Sequence, residues 1–288
     1  MVWSLVLHGG AGPTRGRTYE AEEAHMAEVL QRGADMLDSG ACALDVVTVM
    51  VAELEECGFH VAGKGASPNR DGIYELDAAI MDGTNRRAGG VAGLFGYRSP
   101  IAVARAVMET TPHVLLVGAG ASAFADQAGC ETVGDPASYY TPSITRPVEP
   151  NELAHGTVGA VARDIAGRLA AATSTGGLLN KTPGRVGDAP IIGAGTWADE
   201  RVAVSCTGQG EYFMRAAVAA DVSARVRYGK QTLAAACAGA IADMESLGGD
   251  GGLIAVDAMG NVAAPYNSEG MKRGIATQAG RFEVTTFG

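Results

Sequence analysis

The run from 156 to 177, GTVGAVARDIAGRLAAATSTGG, constrains this chain more than any other stretch. Residues 157–162 are a short apolar segment of small and β-branched residues, 165–168 have the composition of a turn, and 169–173 return as a second apolar segment. Two such segments joined by a turn predict a buried β-hairpin. Its edges are unusual. A glycine stands immediately before the first threonine, and TSTGG sets three hydroxyl residues around the end of the second strand.

A chain of 288 residues has room for one large domain or two ordinary ones. With 47% hydrophobic and 19% charged residues it reads as a well-buried globular protein. Aromatics are only 6% while glycines number 41, so the core must be built from aliphatic side chains and close backbone approach. A net charge of −10 leaves no basic footprint for nucleic acid. The five cysteines are scattered, without a C-x-x-C pair, which argues for reduced thiols rather than a zinc or redox site. The opening MVWSLVLHGG lacks a basic leader region, and no apolar run approaches the ~18 residues of a membrane span. Without a secretory signal, the Asn180-Lys181-Thr182 triplet reads as chance. The expectation is a soluble, cytoplasmic protein with no membrane partner.

Along the chain, WSLVLHGGAG reads as a strand entering a glycine loop, 19–38 and 41–57 as helices, and 58–72 as a structured loop. YELDAAIMDG and GGVAGLFG read as paired strands. PIAVARAVMETT is a predicted helix, HVLLVG a strand, and ASAFADQAG a further helix. Four prolines (Pro136, Pro142, Pro147, Pro150) and few aliphatics mark 134–154 as a surface linker ending just before Thr157. Beyond the hairpin come a glycine-rich segment (176–195), a strand at RVAVSC, helical segments near 211–227 and 230–247, a strand pair in LIAVDAMGNVAAPY, and a strand-like C-terminus. Strands fall in two groups, each with a pair of helices, and do not alternate as in βαβ units. An α+β arrangement of two packed sheets covered by helices, an αββα sandwich, fits this best.

HVLLVGAGASAF offers the beginning of a dinucleotide fingerprint, but it lies mid-chain and its partner acid would fall in the proline linker. G-x-S-x-G, H-E-x-x-H and G-x-x-x-x-G-K-[ST] are all missing, and the five histidines show no metal-ligand spacing. What remains is the threonine. A Thr hydroxyl is a poor nucleophile without a base, and a Thr at a chain N-terminus can use its own α-amine, whose pKa near ~8 suits the task. Thr157 could reach that state only by cleavage of Gly156–Thr157. A glycine tolerates the backbone such a cut needs. On spacing alone, an ordinary strand opening after a loop stays the favoured alternative.

Seven motifs in order carry a resemblance over nearly the whole chain: HGGAG (8–12), LEEC (54–57), ELDAAIMDG (75–83), GTVGAVA (156–162), AAATSTGG (170–177), PGRVGDAPIIGAG (183–195) and VSCTGQGE (204–211). Together they resemble the plant-type asparaginase, or isoaspartyl peptidase, family of N-terminal nucleophile threonine hydrolases. The resemblance implies one domain, 1–288, of four-layer αββα type, cut at Gly156–Thr157 into subunits 1–156 and 157–288 that assemble as a dimer of αβ heterodimers. It implies Thr157 as nucleophile, Thr175 orienting it, Arg185 and Asp188 holding the substrate's α-carboxylate and α-amine, and Thr207 and Gly208 forming the oxyanion hole. A guanidinium fork suits a carboxylate, and a carboxylate suits an ammonium.

The implied activity is hydrolysis of β-aspartyl dipeptides and of the asparagine side-chain amide, small-molecule substrates needing no redox or organic cofactor. The loop at 54–63 is similar to one that holds sodium through backbone carbonyls in some relatives, and no catalytic metal is implied. One departure stands out: Val61-Ala62-Gly63 occupies the place of an Asn-Ala-Gly element. His60 or Lys64 is a candidate to compensate, with Lys64 set to meet a dipeptide's second carboxylate. Two alternatives stay open: a relative specialised for another amide, such as glycosylasparagine or β-Asp-Arg, and a poorly processed precursor with a non-catalytic role.

Overall fold

A computed structural model describes residues 2–143 and 156–288. The first of these stretches runs β1 (Ser4–His8), α1 (Glu20–Asp38), α2 (Ala43–Glu56), β2 (Leu76–Asp82), β3 (Ala88–Leu94), α3 (Pro100–Thr110), β4 (Leu115–Val117), α4 (Gly118–Gln127) and α5 (Pro136–Tyr139). The second runs β5 (Val158–Arg163), β6 (Leu169–Thr175), β7 (Thr196–Ala198), β8 (Val202–Gly208), α6 (Gly210–Ala216), α7 (Val218–Arg227), α8 (Leu233–Ser246), β9 (Gly251–Asp257), β10 (Val262–Ala263), β11 (Arg273–Thr277) and β12 (Phe282–Thr285).

The expected hairpin is β5–β6, antiparallel from Val158↔Ser174 to Arg163↔Leu169. It lies at the centre of an eight-stranded sheet, order β12-β11-β1-β5-β6-β2-β3-β4, facing a four-stranded sheet, order β10-β9-β8-β7. Every residue of β5 and β6 is buried. The period of two explains how. Val158, Ala160, Ala162, Ala170 and Ala172 pack outward with α2 residues such as Val47, Met50 and Leu54. Val161, Leu169 and Ala171 point the other way, against Ala203, Ile254 and Val256 of the second sheet. A third apolar cluster joins that second sheet to α6, α7 and α8. The chain is thus α+β, with two sheets in contact through β1, β5 and β6 on one and β8 and β9 on the other.

The two sequence groups of strands do not map onto the two sheets. β11 from the C-terminus pairs with β1, Ile275 opposite Val6, so the large sheet draws on both ends of the chain. The expected strand at 113–118 shortens to three residues of exposed edge, and α4 starts at Gly118 without an intervening loop. The helix expected over 211–227 breaks at Ala217, which is left-handed (φ 48°). β7 was not expected from the sequence. In the described part of the proline-rich segment, 134–143, Tyr140 alone is buried and the other residues are exposed or half-buried. Tyr140 stacks on Tyr74 at 4.7 Å and donates to the Tyr97 carbonyl at 2.9 Å. This tyrosine supplies the burial that the segment's missing aliphatics do not. Residues 144–155, with Pro147 and Pro150, lie outside the described residues. No helix among the described residues is long and apolar enough to cross a membrane.

One carboxylate ties the hairpin to the helix behind it. Fully buried Asp164 accepts from Ala166 N (2.9 Å) and Arg168 N (3.0 Å) in the turn, from Arg168 Nε (2.7 Å), and from Ala43 N at the start of α2 (3.0 Å). An anion at a helix N-terminus is favoured by the helix dipole as well as by the bond. Asp164→Ala strands the buried N–H of Ala43 and releases three donors of the exposed turn, so we expect a loss of roughly 2 kcal/mol or more in urea denaturation. A loss below about 1 kcal/mol would show that the turn does not depend on this residue.

Candidate active site

Thr157 precedes β5, and the hairpin register sets the end of β6 across from it. Its Oγ1 donates to Thr175 Oγ1 at 3.3 Å. Thr175 Oγ1 accepts in turn from Gly177 N at 3.0 Å and lies 3.3 Å from the Gly156 carbonyl and 3.4 Å from the Val61 carbonyl. The pair can therefore pass a proton from the Thr157 hydroxyl toward the carbonyl of the preceding peptide bond. Gly10 closes the other side. It has φ +102°, and a Cβ there would stand 2.9 Å from Gly156 Cα. Only glycine lets this loop lie against the Gly156–Thr157 bond.

Behind Thr157 runs a buried chain of hydroxyls. His8 Nδ1 is 3.2 Å from the Thr157 carbonyl, so Nδ1–H donates and Nε2 is left as an acceptor 2.9 Å from Ser205 Oγ. Ser205 Oγ is 2.8 Å from Thr173 Oγ1, and Thr196 Oγ1 donates to Thr173 at 2.7 Å. Each hydrogen can point toward His8. Burial drives the His8 pKa down to about 3, opposed by its bond to the Thr157 carbonyl, so the ring stays neutral. A Cβ on Gly159 would strike both Ser205 Oγ and His8 Nε2, which accounts for glycine in mid-strand.

Thr157, Thr175, Arg185, Asp188 and Gly208 line one small cleft. Asp188 is buried, with 6% of its surface left facing the cleft. Burial pushes its carboxyl up to about 7, the Arg185 charge pulls the other way, and Glu211 and Asp77 add to the rise. Its Oδ2 has no hydrogen-bond partner among the described residues. Arg185 is held in a bidentate pair by Glu211, Nε and the second terminal nitrogen each at 2.9 Å. Five of the six expected site residues thus meet at one cleft. Thr207 stands apart: it is completely buried, and its Oγ1 accepts from Ala11 N at 3.2 Å rather than lining the cleft wall.

Sequence reading missed His8, Thr173, Ser205 and Glu211 as parts of this site. The signal was there in the period of two: Thr173 shares a face of β6 with Thr175, and Ser205 a face of β8 with Thr207. Val61 presents its isopropyl group to Gly156, which a Cβ would meet at 3.1 Å. Neither candidate substitute for its missing amide turns to Thr157. His60 Nδ1 is bonded to the Gly9 carbonyl at 3.1 Å. Lys64 lies over the Tyr139 ring at 6.0 Å. In the loop linked by resemblance to sodium, His60 O accepts from Ala62 N, Ala62 O from Gly65 N and Gly63 O from Ala66 N. No step is derived through a cation there.

A family model described as asparaginase matches residues 1–149 and 137–286. An isoaspartyl peptidase of Salmonella typhimurium is 48% identical over 93% of each chain. One of Escherichia coli is 46% identical over 93% of this chain and 91% of its own. A plant-type L-asparaginase of Pyrococcus horikoshii is 37% identical over 93% of this chain and 94% of its own.

The state of Asp188 makes stability depend on pH. Its folded pKa, about 7, lies above the ordinary 3.8 of an unfolded Asp, so the folded chain binds this proton more tightly. That contribution is complete below about pH 4 and is lost as pH rises toward 7. Asp188→Asn, which is neutral throughout, should therefore gain stability over the parent between pH 4 and 7 and keep a constant advantage above. Thermal unfolding of both proteins at pH 4 and 8 checks this. An equal difference at the two pH values would contradict it.

Proposed function

This chain belongs to the asparaginase family, and from that premise we propose that it is a self-processing threonine hydrolase of β-aspartyl dipeptides and L-asparagine. The single observation that carries the reading is the directed hydroxyl pair, Thr157 Oγ1 to Thr175 Oγ1 at 3.3 Å and Thr175 Oγ1 3.3 Å from the Gly156 carbonyl. The homologues named isoaspartyl peptidase and L-asparaginase support the substrate class. In this reading the two sheets and their helices are one four-layer αββα domain of N-terminal nucleophile type. It is cut into subunits 1–156 and 157–288 and paired as a dimer of αβ units. Exposed Phe95, Val114 and Val117 are apolar surface that such pairing would cover.

Maturation begins with Thr157 Oγ attacking the Gly156 carbonyl carbon, its proton passing to Thr175. The peptide C–N bond breaks, the new α-amine takes the proton, and water hydrolyses the ester. The freed amine is then the base for catalysis, its pKa near ~8 matching working pH. Arg185, oriented by Glu211, meets the α-carboxylate of substrate, and Asp188 takes the α-ammonium that neutralises its buried carboxylate. Thr157 Oγ attacks the β-carbonyl. The oxyanion gathers a hydrogen bond from the Gly208 N–H, which lines the cleft, while Thr207 beside it is bonded to Ala11 N behind the cleft wall. The leaving nitrogen takes the proton held by the Thr157 amine. Water then attacks the β-aspartyl ester and releases aspartate.

Purified protein should yield a fragment beginning Thr-Val-Gly-Ala by N-terminal sequencing, and Thr157→Ala should remain a single folded chain. Cleavage of Thr157→Ala at the same bond would refute the self-cutting mechanism. Arg185→Ala should cut kcat/KM on both asparagine and β-aspartyl dipeptides by roughly 30- to 150-fold while maturation proceeds, since the lost contact to the α-carboxylate forms only when substrate is bound. Unchanged kinetics would remove Arg185 from the site.

A further inference from the structure

The Gly156–Thr157 bond has a second pocket on its other side. Gly156 and Val61 form one wall, and Lys272, His60, Arg17 and Tyr19 form much of the rest. It is separate from the cleft of Arg185 and Asp188, which contains neither Gly156 nor Val61. Gly156 lines this pocket and Thr157 the other, so the bond that maturation would cut stands between them.

The chemistry of the pocket is specific. Lys272 is 9% exposed, yet no carboxylate among the described residues lies within ion-pair distance of its ammonium. Its nearest aromatic partner is the Tyr19 ring, 5.7 Å from Nζ, and the Arg17 guanidinium lies over the same ring at 5.9 Å. Glu22, the acidic residue of the lining, forms no ion pair with either cation and acts on Lys272 only through its longer-range charge. Buried cations are ordinarily paired, and an unpaired one is a costly feature that a ligand anion would relieve. His60 Nε2 is also buried and without a partner. With Nδ1–H donating to the Gly9 carbonyl, Nε2 is an acceptor. An acceptor for N–H beside two cations for a carboxylate matches the α-nitrogen and α-carboxylate of an amino acid.

We propose that this pocket receives the leaving residue of a β-aspartyl dipeptide, with Lys272 and Arg17 holding its C-terminal carboxylate and His60 Nε2 its nitrogen. The proposal rests on the dipeptidase reading above and adds its second subsite. It replaces Lys64, which lies over Tyr139 outside this pocket, with Lys272 as the partner of the second carboxylate. The leaving residue would then gain contacts that free asparagine cannot make, and such contacts help to position the transition state.

The test compares β-Asp-Leu, its C-terminal amide and asparagine as substrates of the self-processed enzyme and its variants. The parent should prefer the free acid over the amide by about tenfold or more, the scale of a lost charge-assisted contact. Lys272→Met should collapse that preference and lower the ratio of β-Asp-Leu to asparagine turnover about tenfold, while Lys272→Arg should restore most of it. Arg17→Gln, on the exposed rim and unable to disturb the core, should narrow the acid-to-amide ratio severalfold even if Lys272→Met fails to fold. Equal rates for acid and amide in the parent would overturn the subsite, as would equal losses on asparagine and dipeptide in Lys272→Met. If none of the three substrates is hydrolysed, the functional reading falls and the subsite falls with it.

Discussion

Everything at this site hangs on a hairpin narrow enough to be buried on both faces. β5 and β6 are made almost wholly of alanine, glycine, valine and threonine, so α2 on one side and the second sheet on the other both approach closely. Larger side chains would widen the gap and separate Thr173 on β6 from Ser205 on β8, which stand 2.8 Å apart across the two sheets. Protein interiors are packed tightly enough that such a change would be felt throughout. Asp164 completes the arrangement by fastening the far end of the hairpin to α2, so the near end is presented from a fixed base.

The polar groups that this close packing buries follow one logic. Where a neutral form is needed, burial alone supplies it: His8 is held uncharged and serves as a hydrogen-bond hinge between the Thr157 carbonyl and Ser205. Where a charge is needed, a partner fixes its direction, as Glu211 does for Arg185. Asp188 has been given neither enough donors nor a full counter-charge, and its carboxyl rises to about 7 in consequence. A buried acid left half-satisfied costs stability, and such costs gather where a ligand is to be bound.

Val61 marks where this chain departs from the pattern it otherwise follows. Its backbone does structural work, the carbonyl accepting from Gly176 N at 2.7 Å to tie the loop to the end of β6. Its side chain only walls off Gly156. The polar character lost at that position returns on the opposite side of the pocket, in Lys272, Arg17 and the free nitrogen of His60, residues brought there from β1's following loop, the loop after α2 and the C-terminal segment.

Local pattern was sufficient for the hairpin, for α1, α2 and α3, and for an α+β fold of two sheets, because each depends on residue spacing within a dozen or so positions. The family resemblance, carried by motif order, named Thr157, Thr175, Arg185, Asp188 and Gly208, and the fold brings these five to one cleft. Pattern gave no sign that Tyr140, in the proline-rich segment, is buried in a core that belongs to other parts of the chain. It could not assign strands to sheets, because the pairing of β11 with β1 joins residues some 270 positions apart in sequence. The same distance hid the rest of the site. His8, Thr173 and Ser205 become one chain of hydrogen bonds, and Glu211 becomes the brace of Arg185, only when strands and loops from separate parts of the chain are pressed together. Spacing can show which face of a strand a hydroxyl occupies, but what that face meets is decided by tertiary packing.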